Sequence, residues 1–217
     1  NTIKKNKAIF TFCSKLLHQK KSILLFPEGS HSLKRKIRPL KKGAARIIEE
    51  TYQNYPNTEI VIIPVGVNYQ APTEYGDSMS VYFGKHISPN KFWNGSLLDM
   101  QGLNKSISIE LKQLTTHIGS ISDYETNLKK LNDLKVDYTQ PEAVNKCLEN
   151  KLSYTEKKIK ESSVLYSFFS FLIKVFYFLP YFIWKKVAFP KIKEDEFIGT
   201  FRYALILTLA PIYLLLL

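Results

Sequence analysis

The sequence predicts an α/β protein in three parts: an incomplete α/β core with a mixed sheet flanked by helices (residues 1–96), a helical appendage or linker (97–163) and hydrophobic, membrane-associated helices (164–217). Helical and strand-like patterns alternate in the first part, polar helix-forming residues fill the second, and aromatic and aliphatic residues dominate the third. A chain of 217 residues suits one core with an appendage. Because it starts at Asn1 and ends in four leucines, we expect a fragment.

Two helices are predicted in the first part. The stretch "NKAIFTFCSKLLHQK", residues 6–20, carries apolar side chains at helical spacing and therefore predicts an amphipathic helix. Pro39 suits the first turn of a second helix, whose apolar face ends by Tyr55.

Three strands are predicted in the same part. Ser22–Phe26 is a short apolar run, typical of a strand buried on both faces. The β-branched run that starts at Glu59 predicts a second strand up to Ile63, with a bend at Pro64. Met79–Ile87 predicts a third.

The second part contains helical patterns but no catalytic signature. The stretches "ISIELKQLTTHI" and "YETNLKKLNDL" predict amphipathic helices, and another helix is expected to start just after Pro141.

The third part opens with Val164–Trp184, whose 21 residues would suit a bilayer span of ~20 residues. Lys174 at its midpoint and Pro180 argue against a plain span, because a charge is costly in hydrocarbon and proline interrupts a helix. The lysine-rich loop that follows belongs on the cytosolic side by the positive-inside tendency. We therefore expect association with the cytoplasmic face of a membrane, by a segment that dips or lies in the interface. For the final run, Tyr203–Leu217, the sequence alone does not decide whether it crosses the bilayer.

The positive charge is concentrated near the N-terminus. The net charge is +12, and residues 1–46 contain ten lysines, three arginines and one acidic residue, Glu28, so the remainder sums to zero. Such a field attracts an anionic partner: a phosphate ester, a nucleic acid or an acidic lipid headgroup. The two cysteines, Cys13 and Cys147, are too few and too distant in sequence for a zinc site or a disulfide framework, and nothing suggests a metal.

The stretch "FPEGSHS" combines features of a binding site. It is predicted to be a strand end followed by a turn, and side chains at strand ends in α/β proteins project into the crevice where ligands bind. Glu28 would accept a hydrogen bond from a substrate hydroxyl or hold nearby cations, and Gly29 allows close backbone approach. Two serine hydroxyls and the following basic residues suit an anion. The alternative on physical grounds alone is a surface turn with a solvated basic run.

Three stretches carry a resemblance to a known family. "LLFPEGSHS", Leu24–Ser32, resembles the Phe-Pro-Glu-Gly-Thr/Ser-Arg-Ser block of the glycerolipid acyltransferases, which acylate glycerol 3-phosphate or lysophosphatidic acid. His31 departs from it, because the family usually has arginine there. "LKKGAARI", Leu40–Ile47, is similar to the start of the next helix in the family, and "VIIPVGVNY", Val61–Tyr69, to its fourth block. The aromatic C-terminal segment is also similar to a bacterial branch of the family.

The resemblance implies an acyltransferase-type core and fatty acyl transfer from acyl-CoA or acyl carrier protein to glycerol 3-phosphate or lysophosphatidic acid in phospholipid biosynthesis. It implies no bound cofactor; the partners would be a glycerophosphate or lyso-phospholipid acceptor, the acyl donor and membrane lipids. The implied glycerophosphate-binding residues are Phe26, Pro27, Glu28, Gly29, Ser30, His31 and Ser32, and the implied acyl-side residues are Ile63, Pro64 and Val65.

The family's catalytic pair is missing from this sequence. In the family a histidine five residues ahead of an aspartate takes the proton from the attacking hydroxyl. The residues five positions after His18, His31, His86 and His117 are Ile23, Lys36, Lys91 and Ser122. We therefore expect no catalytic residue in this chain, and the fragment alone to be inactive, with the pair upstream; a degenerate member without catalysis is the other explanation.

Two functions remain after this reasoning. One is the membrane-associated acyltransferase, of which this chain would hold the substrate-binding half. The alternative is a non-catalytic membrane-surface module for anionic lipids. Nucleic-acid binding is not expected, because base-stacking aromatic residues interleaved with cations are scarce among residues 1–46, where Phe10, Phe12 and Phe26 are predicted to occupy core positions.

Overall fold

The computed structural model describes residues 2–74, 77–119, 122–150 and 164–215 of the chain. Within these residues the chain divides into two units. Unit 1 lies within residues 1–69 and 79–154, and unit 2 within residues 70–78 and 155–217. The mixture of α and β structure that the sequence predicts is confirmed, but the described residues form one antiparallel pair of strands rather than the predicted mixed sheet.

Unit 1 contains five α-helices and two strands among its described residues. In chain order they are α1 (Thr2–His18), α2 (Gly43–Asn54), β1 (Val65–Tyr69), β2 (Met79–Phe83), α3 (Met100–Leu114), α4 (Tyr124–Asp133) and α5 (Pro141–Glu149), with a 3-10 turn at Pro89–Phe92. The predicted helices at residues 6–20, in the two stretches of the second part and after Pro141 are confirmed. Pro141 occupies the first turn of α5, where a missing N–H leaves no intrahelical bond unmade.

Two clusters of buried side chains hold unit 1 together. The first joins α2 to α3, with Ala45 and Leu103 fully buried at its centre, and helix α1 packs on α2. The second lies around α4 and α5 and includes Leu131 and Val144, also fully buried, and Cys147. Apolar residues three or four positions apart give each helix one face that is buried in these clusters, and this packing stabilises the short helices.

Strands β1 and β2 form an antiparallel pair in which Val65 lies opposite Phe83 and Tyr69 opposite Met79. Gly66 lies against the end of α3, because a Cβ there would come within 2.6 Å of the Leu114 Cβ. The other face of the pair is apolar and largely open: Val67, Tyr69, Met79, Val81 and Phe83 are all exposed.

The structure corrects the predicted position of the second strand. The strand begins after Pro64, at Val65, whereas Glu59–Ile63 contains only an isolated bridge from Ile62 to Ile87. Two residues separate this bridge from Val65 along the first strand, but three separate Phe83 from Ile87 on the partner, so the pairing contains a bulge. Pro64 has no N–H to donate, and its carbonyl accepts a hydrogen bond from Gly84 N–H at 2.9 Å.

The prediction of a buried strand at Ser22–Phe26 is wrong for the described structure. This run has no regular structure, and Leu24 and Phe26 keep 78% and 82% of their surface exposed. A strand needs a neighbour to pair its backbone, and Ile23, Leu24 and Leu25 make no backbone hydrogen bond to another described residue.

The second helix starts later than Pro39 predicts. Helix α2 begins at Gly43, because the chain from Arg38 to Lys41 instead follows the turn around Glu28, where Lys41 N–H donates to Pro27 O at 2.8 Å. Its predicted end by Tyr55 is confirmed.

Unit 2 is mostly helical in its described residues; the exceptions are residues 70–74 and 77–78, the break at Tyr177 and residues 192–194. It contains α6 (Val164–Phe176), α7 (Phe178–Ile183), a π-helical turn (Trp184–Ala188), two 3-10 turns (Phe189–Lys191 and Asp195–Phe197) and α8 (Ile198–Leu215). The break predicted at Pro180 falls at Tyr177, so the proline sits in the first turn of α7, where it is tolerated. Tyr177 meets Tyr213 of α8 with ring centroids 6.3 Å apart.

The helices of unit 2 expose many apolar side chains. Residues that keep about half or more of their surface exposed include Phe168, Phe171, Phe176, Phe178 and Phe201. Among the residues that the structure describes, no helix combines the length and the apolar character that a bilayer crossing requires.

Candidate functional site

The stretch "FPEGSHS" forms a tight turn in unit 1. Gly29 N–H donates to Phe26 O at 3.2 Å, with Pro27 and Glu28 at the corner. Gly29 has a φ of +75°, a left-handed conformation that glycine adopts without steric cost. A Cβ at this position would lie 3.1 Å from Cγ of Lys41, so the glycine also allows the Lys41 side chain to pass closely.

Arg38 is the centre of the hydrogen bonds that fix this turn. Its Nε donates to Glu28 Oε2 at 2.9 Å, and its backbone N–H lies 3.4 Å from Glu28 Oε1. Its two terminal nitrogens donate to Ser30, one to Oγ at 2.8 Å and the other to the carbonyl oxygen. The Glu28 and Arg38 side chains keep 24% and 31% of their surface exposed, so the pair is half-buried and open to a ligand.

This arrangement explains the single carboxylate in the basic N-terminal region. Glu28 balances the charge of Arg38 and orients the guanidinium, which is the second of the two roles that the sequence analysis considered for it. A planar guanidinium held by a carboxylate and beside a serine hydroxyl suits the oxygens of a phosphate group.

Two other basic residues of the loop after the turn, Arg35 and Lys36, make contacts within unit 1. The Arg35 guanidinium lies 3.5 Å from the centre of the Tyr138 ring and donates to Tyr69 O at 2.9 Å. Burial raises the pKa of the Tyr138 hydroxyl, and the nearby Arg35 charge partly opposes that shift. Lys36 Nζ donates to Gly119 O at 2.9 Å. These cations tie the loop to the second cluster, so they are not all free to attract a ligand.

The predicted acyl-side residues lie at the start of the strand pair. Ile63 is 57% exposed and Pro64 is buried beside Gly84. A cavity of about 860 Å³ in unit 1 is lined mainly by residues of α3, α5 and the loop between α3 and α4, with Tyr82 and Asn127, so it includes neither the turn nor Ile63–Val65. A pocket shared by the turn and Ile63–Val65 therefore stays a prediction.

The four histidines have different surroundings, and His86 is exposed just before Ile87. His31 is exposed at the end of the turn. The His18 ring stacks on Tyr55 at 4.0 Å. Nδ1 of His117 accepts a hydrogen bond from Ile37 N–H at 3.0 Å, and burial, followed by the charges of Lys112 and Lys36, lowers its pKa. Within the described ranges, no three His, Cys, Asp or Glu side chains come together as metal ligands would.

Sequence reasoning gave Arg38 only a general role as one of several cations. The signal that would have singled it out is electrostatic: a lone carboxylate among thirteen basic residues is expected to pair with one of them. Sequence alone does not identify which one, because Glu28 and Arg38 are ten residues apart on an irregular loop.

Comparison with known proteins agrees with the resemblance. Residues 1–68 match the model of the Acyltransferase family. Over 66 residues the chain is 33% identical to uncharacterized acyltransferase C1718.04 of Schizosaccharomyces pombe. The aligned stretch covers 30% of this chain. The chain spans about a tenth of the length of that relative. No solved structure matches the chain.

The resemblance to an acyltransferase family is thereby confirmed over residues 1–68. That stretch contains α1, the turn with Glu28, Arg38 and α2, and it ends within β1.

Proposed function

We propose that this chain carries the acceptor-binding part of an acyltransferase. The transferred group is a fatty acyl chain, the donor is acyl-CoA or acyl carrier protein, and the acceptor is glycerol 3-phosphate or lysophosphatidic acid in phospholipid biosynthesis. The observation that carries this proposal is the Glu28–Arg38–Ser30 network, which lies inside the stretch that matches the Acyltransferase family.

The network would act by binding and orienting the acceptor. Arg38 and Ser30 offer a cation and a hydroxyl to the acceptor phosphate, and Glu28 keeps the guanidinium in place. On the acyl side, Ile63 and its neighbours offer apolar surface to the fatty chain. Each of these roles concerns positioning, which lowers the barrier by holding the reactants in one geometry.

The bond changes follow from ester formation. The acceptor hydroxyl oxygen attacks the thioester carbonyl carbon, the carbon–sulfur bond breaks, and the hydroxyl proton passes through a general base to the departing thiolate. No histidine of this chain has an aspartate five residues later. The proposal therefore assigns the general base to a part of the protein outside these 217 residues, and predicts that the chain alone is inactive.

Activity of the full-length protein tests the proposal. Radiolabelled glycerol 3-phosphate and lysophosphatidic acid are each incubated with acyl-CoA and with acyl carrier protein, and lipid products are separated. We expect acylation of at least one acceptor that depends on the donor thioester. Absence of product with every combination of acceptor and donor would reject the proposal that the protein is an acyltransferase.

We also propose that unit 2 holds the protein at the cytoplasmic face of a membrane. The exposed aromatic side chains of α6 and α7 support this, because aromatic residues favour the bilayer interface and large exposed apolar patches mark interaction surfaces. Vesicle flotation measures the binding of the protein to membranes. Replacing Phe171 and Phe176 with serine should reduce flotation, whereas replacing the equally exposed Leu97 of unit 1 should not.

A non-catalytic module for anionic lipids is the second candidate. It is favoured by the lack of a His-Asp pair together with the exposed apolar helices. Acyl transfer by the full-length protein separates the two, because a binding module floats with acidic vesicles without forming product.

A further inference from the structure

A groove of about 750 Å³ lies within unit 2, between α8 and the segment that precedes it. Its wall is formed by Phe197, Phe201, Ala204, Leu205 and Leu209, which recur at helical spacing and therefore share one face. Because a helix rises about 1.5 Å per residue, this apolar stripe is about 18 Å long. Phe201 keeps 54% of its surface exposed, so the groove is open along one side.

The polar atom on this stripe is already satisfied. Thr208 lines the groove, but its hydroxyl donates back to the helix, to Ala204 O at 2.9 Å and Leu205 O at 3.1 Å. Such bonding to the preceding turn leaves the hydroxyl no need of another partner. The stripe therefore presents apolar surface along its whole length.

The rim of the groove is charged. Lys191 and Lys193 line it together with one acidic residue, Glu194, so the rim has two cations against one carboxylate. Neither lysine takes part in an ion pair within the part of the chain that the structure describes. Both are exposed, and a lysine side chain is long enough to bring its ammonium group to an anion on the open side of the groove.

We propose that this groove binds a single lipid molecule with an anionic head and one acyl chain. The chain would lie along the α8 stripe, and the phosphate or carboxylate head would be held by Lys191 and Lys193. The volume lies within the ~300–1,000 Å³ that small-molecule sites occupy, and a mostly apolar wall with a few polar groups is typical of them. Charge complementarity selects an anionic head over a neutral one.

This site differs from membrane adsorption by unit 2. The exposed phenylalanines of α6 and α7 offer a broad surface to many lipids at once, whereas the groove would retain one molecule in a defined place. It also lies outside residues 1–68, so it is independent of the acceptor site proposed above.

Photolabelling of the full-length protein tests the groove. The probe is 1-oleoyl lysophosphatidic acid with a diazirine on its chain, in phosphatidylcholine vesicles, and the labelled residues are mapped by mass spectrometry. Diazirine oleate provides a carboxylate head, and diazirine 1-oleoylglycerol a neutral one. Inorganic phosphate is added as a competitor, to separate recognition of a lipid from recognition of a free anion.

Two pairs of variants locate the binding. Lys191→Glu with Lys193→Glu reverses the rim charge, and Lys185→Glu with Lys186→Glu is its control, because those lysines lie in the same region but do not line the groove. Ala204→Trp fills the groove, and Ile206→Trp places the same ring at a position of α8 outside it.

We expect both anionic probes to label residues 197–209. The rim variant should lower labelling about ten-fold, the size expected for reversing two exposed charges. Ala204→Trp should lower it similarly, and both controls should remain within about two-fold of the wild type on the same scale. The neutral probe should label weakly, and inorganic phosphate should compete only at far higher concentration.

Labelling spread evenly over α6, α7 and α8 would overturn the proposal that the groove binds a lipid. So would labelling that Ala204→Trp leaves unchanged, provided that this variant has wild-type circular dichroism. Displacement of the probe by low concentrations of inorganic phosphate would also overturn it. Neither result bears on acyl transfer, which is assayed separately.

Discussion

Replacing Arg38 with alanine should loosen the turn at Glu28. The substitution removes three side-chain hydrogen bonds, one to the Glu28 carboxylate and two to Ser30. A charge-assisted hydrogen bond contributes about 1.5–3 kcal/mol when well protected, and exposed ion pairs contribute about 0.2–1 kcal/mol. Since roughly a quarter to a third of each side chain in the pair is exposed, we take about 0.7 kcal/mol per bond, or about 2 kcal/mol for the three.

Hydrogen–deuterium exchange measures this loss locally. Gly29 N–H and Lys41 N–H are bonded to Phe26 O and Pro27 O, so both amides should be protected while the turn is closed. A loss of about 2 kcal/mol corresponds to roughly 30-fold faster exchange of these amides. Arg38→Lys keeps the charge but not the planar set of donors, and should give an intermediate rate.

Arg46→Ala is the matched control, because Arg46 is an exposed arginine of α2 outside the network. Its exchange in residues 26–42 should equal that of the wild type. In the double variant Glu28→Gln with Arg38→Ala, the amides of the turn should exchange within a few-fold of their rate in Arg38→Ala alone. The second substitution adds little because the two residues form one contact. Wild-type exchange in Arg38→Ala would refute the assigned network.

Two further predictions concern stability. Gly66→Ala should lower the free energy of unfolding by about 1–3 kcal/mol, because the new Cβ meets Leu114, whereas Gly43→Ala, with open space around it, should be neutral or slightly stabilising; equal melting temperatures would contradict the close packing of β1 on α3. His117 has a lowered pKa in the folded protein, so the unfolded chain takes up a proton first as pH falls below the ordinary value of 6.5, and unfolding becomes easier in that range. His117→Gln should flatten this part of the stability profile in chemical denaturation, and an unchanged slope would show that another group is responsible.

Local signals in the sequence predicted the helices well. Helices α4 and α5 begin where apolar spacing and Pro141 indicate, because such signals act within one or two turns. Strand positions depend on partners distant in sequence. The run at Ser22–Phe26 has the composition of a buried strand, but no described residue pairs with it, and β1 is displaced past Pro64 by a bulge that only the pairing defines.

In the candidate site, too, features set by local sequence were predicted and features set by distant contacts were not. The turn at Gly29 was predicted because proline and glycine constrain the backbone locally. The role of Arg38 was not predicted in detail, since it depends on how an irregular loop returns to the turn. The groove of unit 2 was missed because its wall comes from one face of a helix whose sequence is almost uniformly apolar. Its lysines come from the segment before that helix, where Lys191 ends a 3-10 turn and Lys193 lies in irregular chain.

The most direct measurement of the central claim is the kcat/KM of the full-length protein with Glu28→Gln for the acceptor, glycerol 3-phosphate or lysophosphatidic acid, that the wild type acylates. Glutamine keeps the size of the side chain but removes the charge that holds Arg38, so we expect kcat/KM to fall by about ten-fold or more, which is about 1.4 kcal/mol of transition-state stabilisation. Glu59→Gln, at an exposed position of unit 1, should leave it unchanged. Equal values for Glu28→Gln and the wild type would contradict the assignment of this turn to the acceptor site.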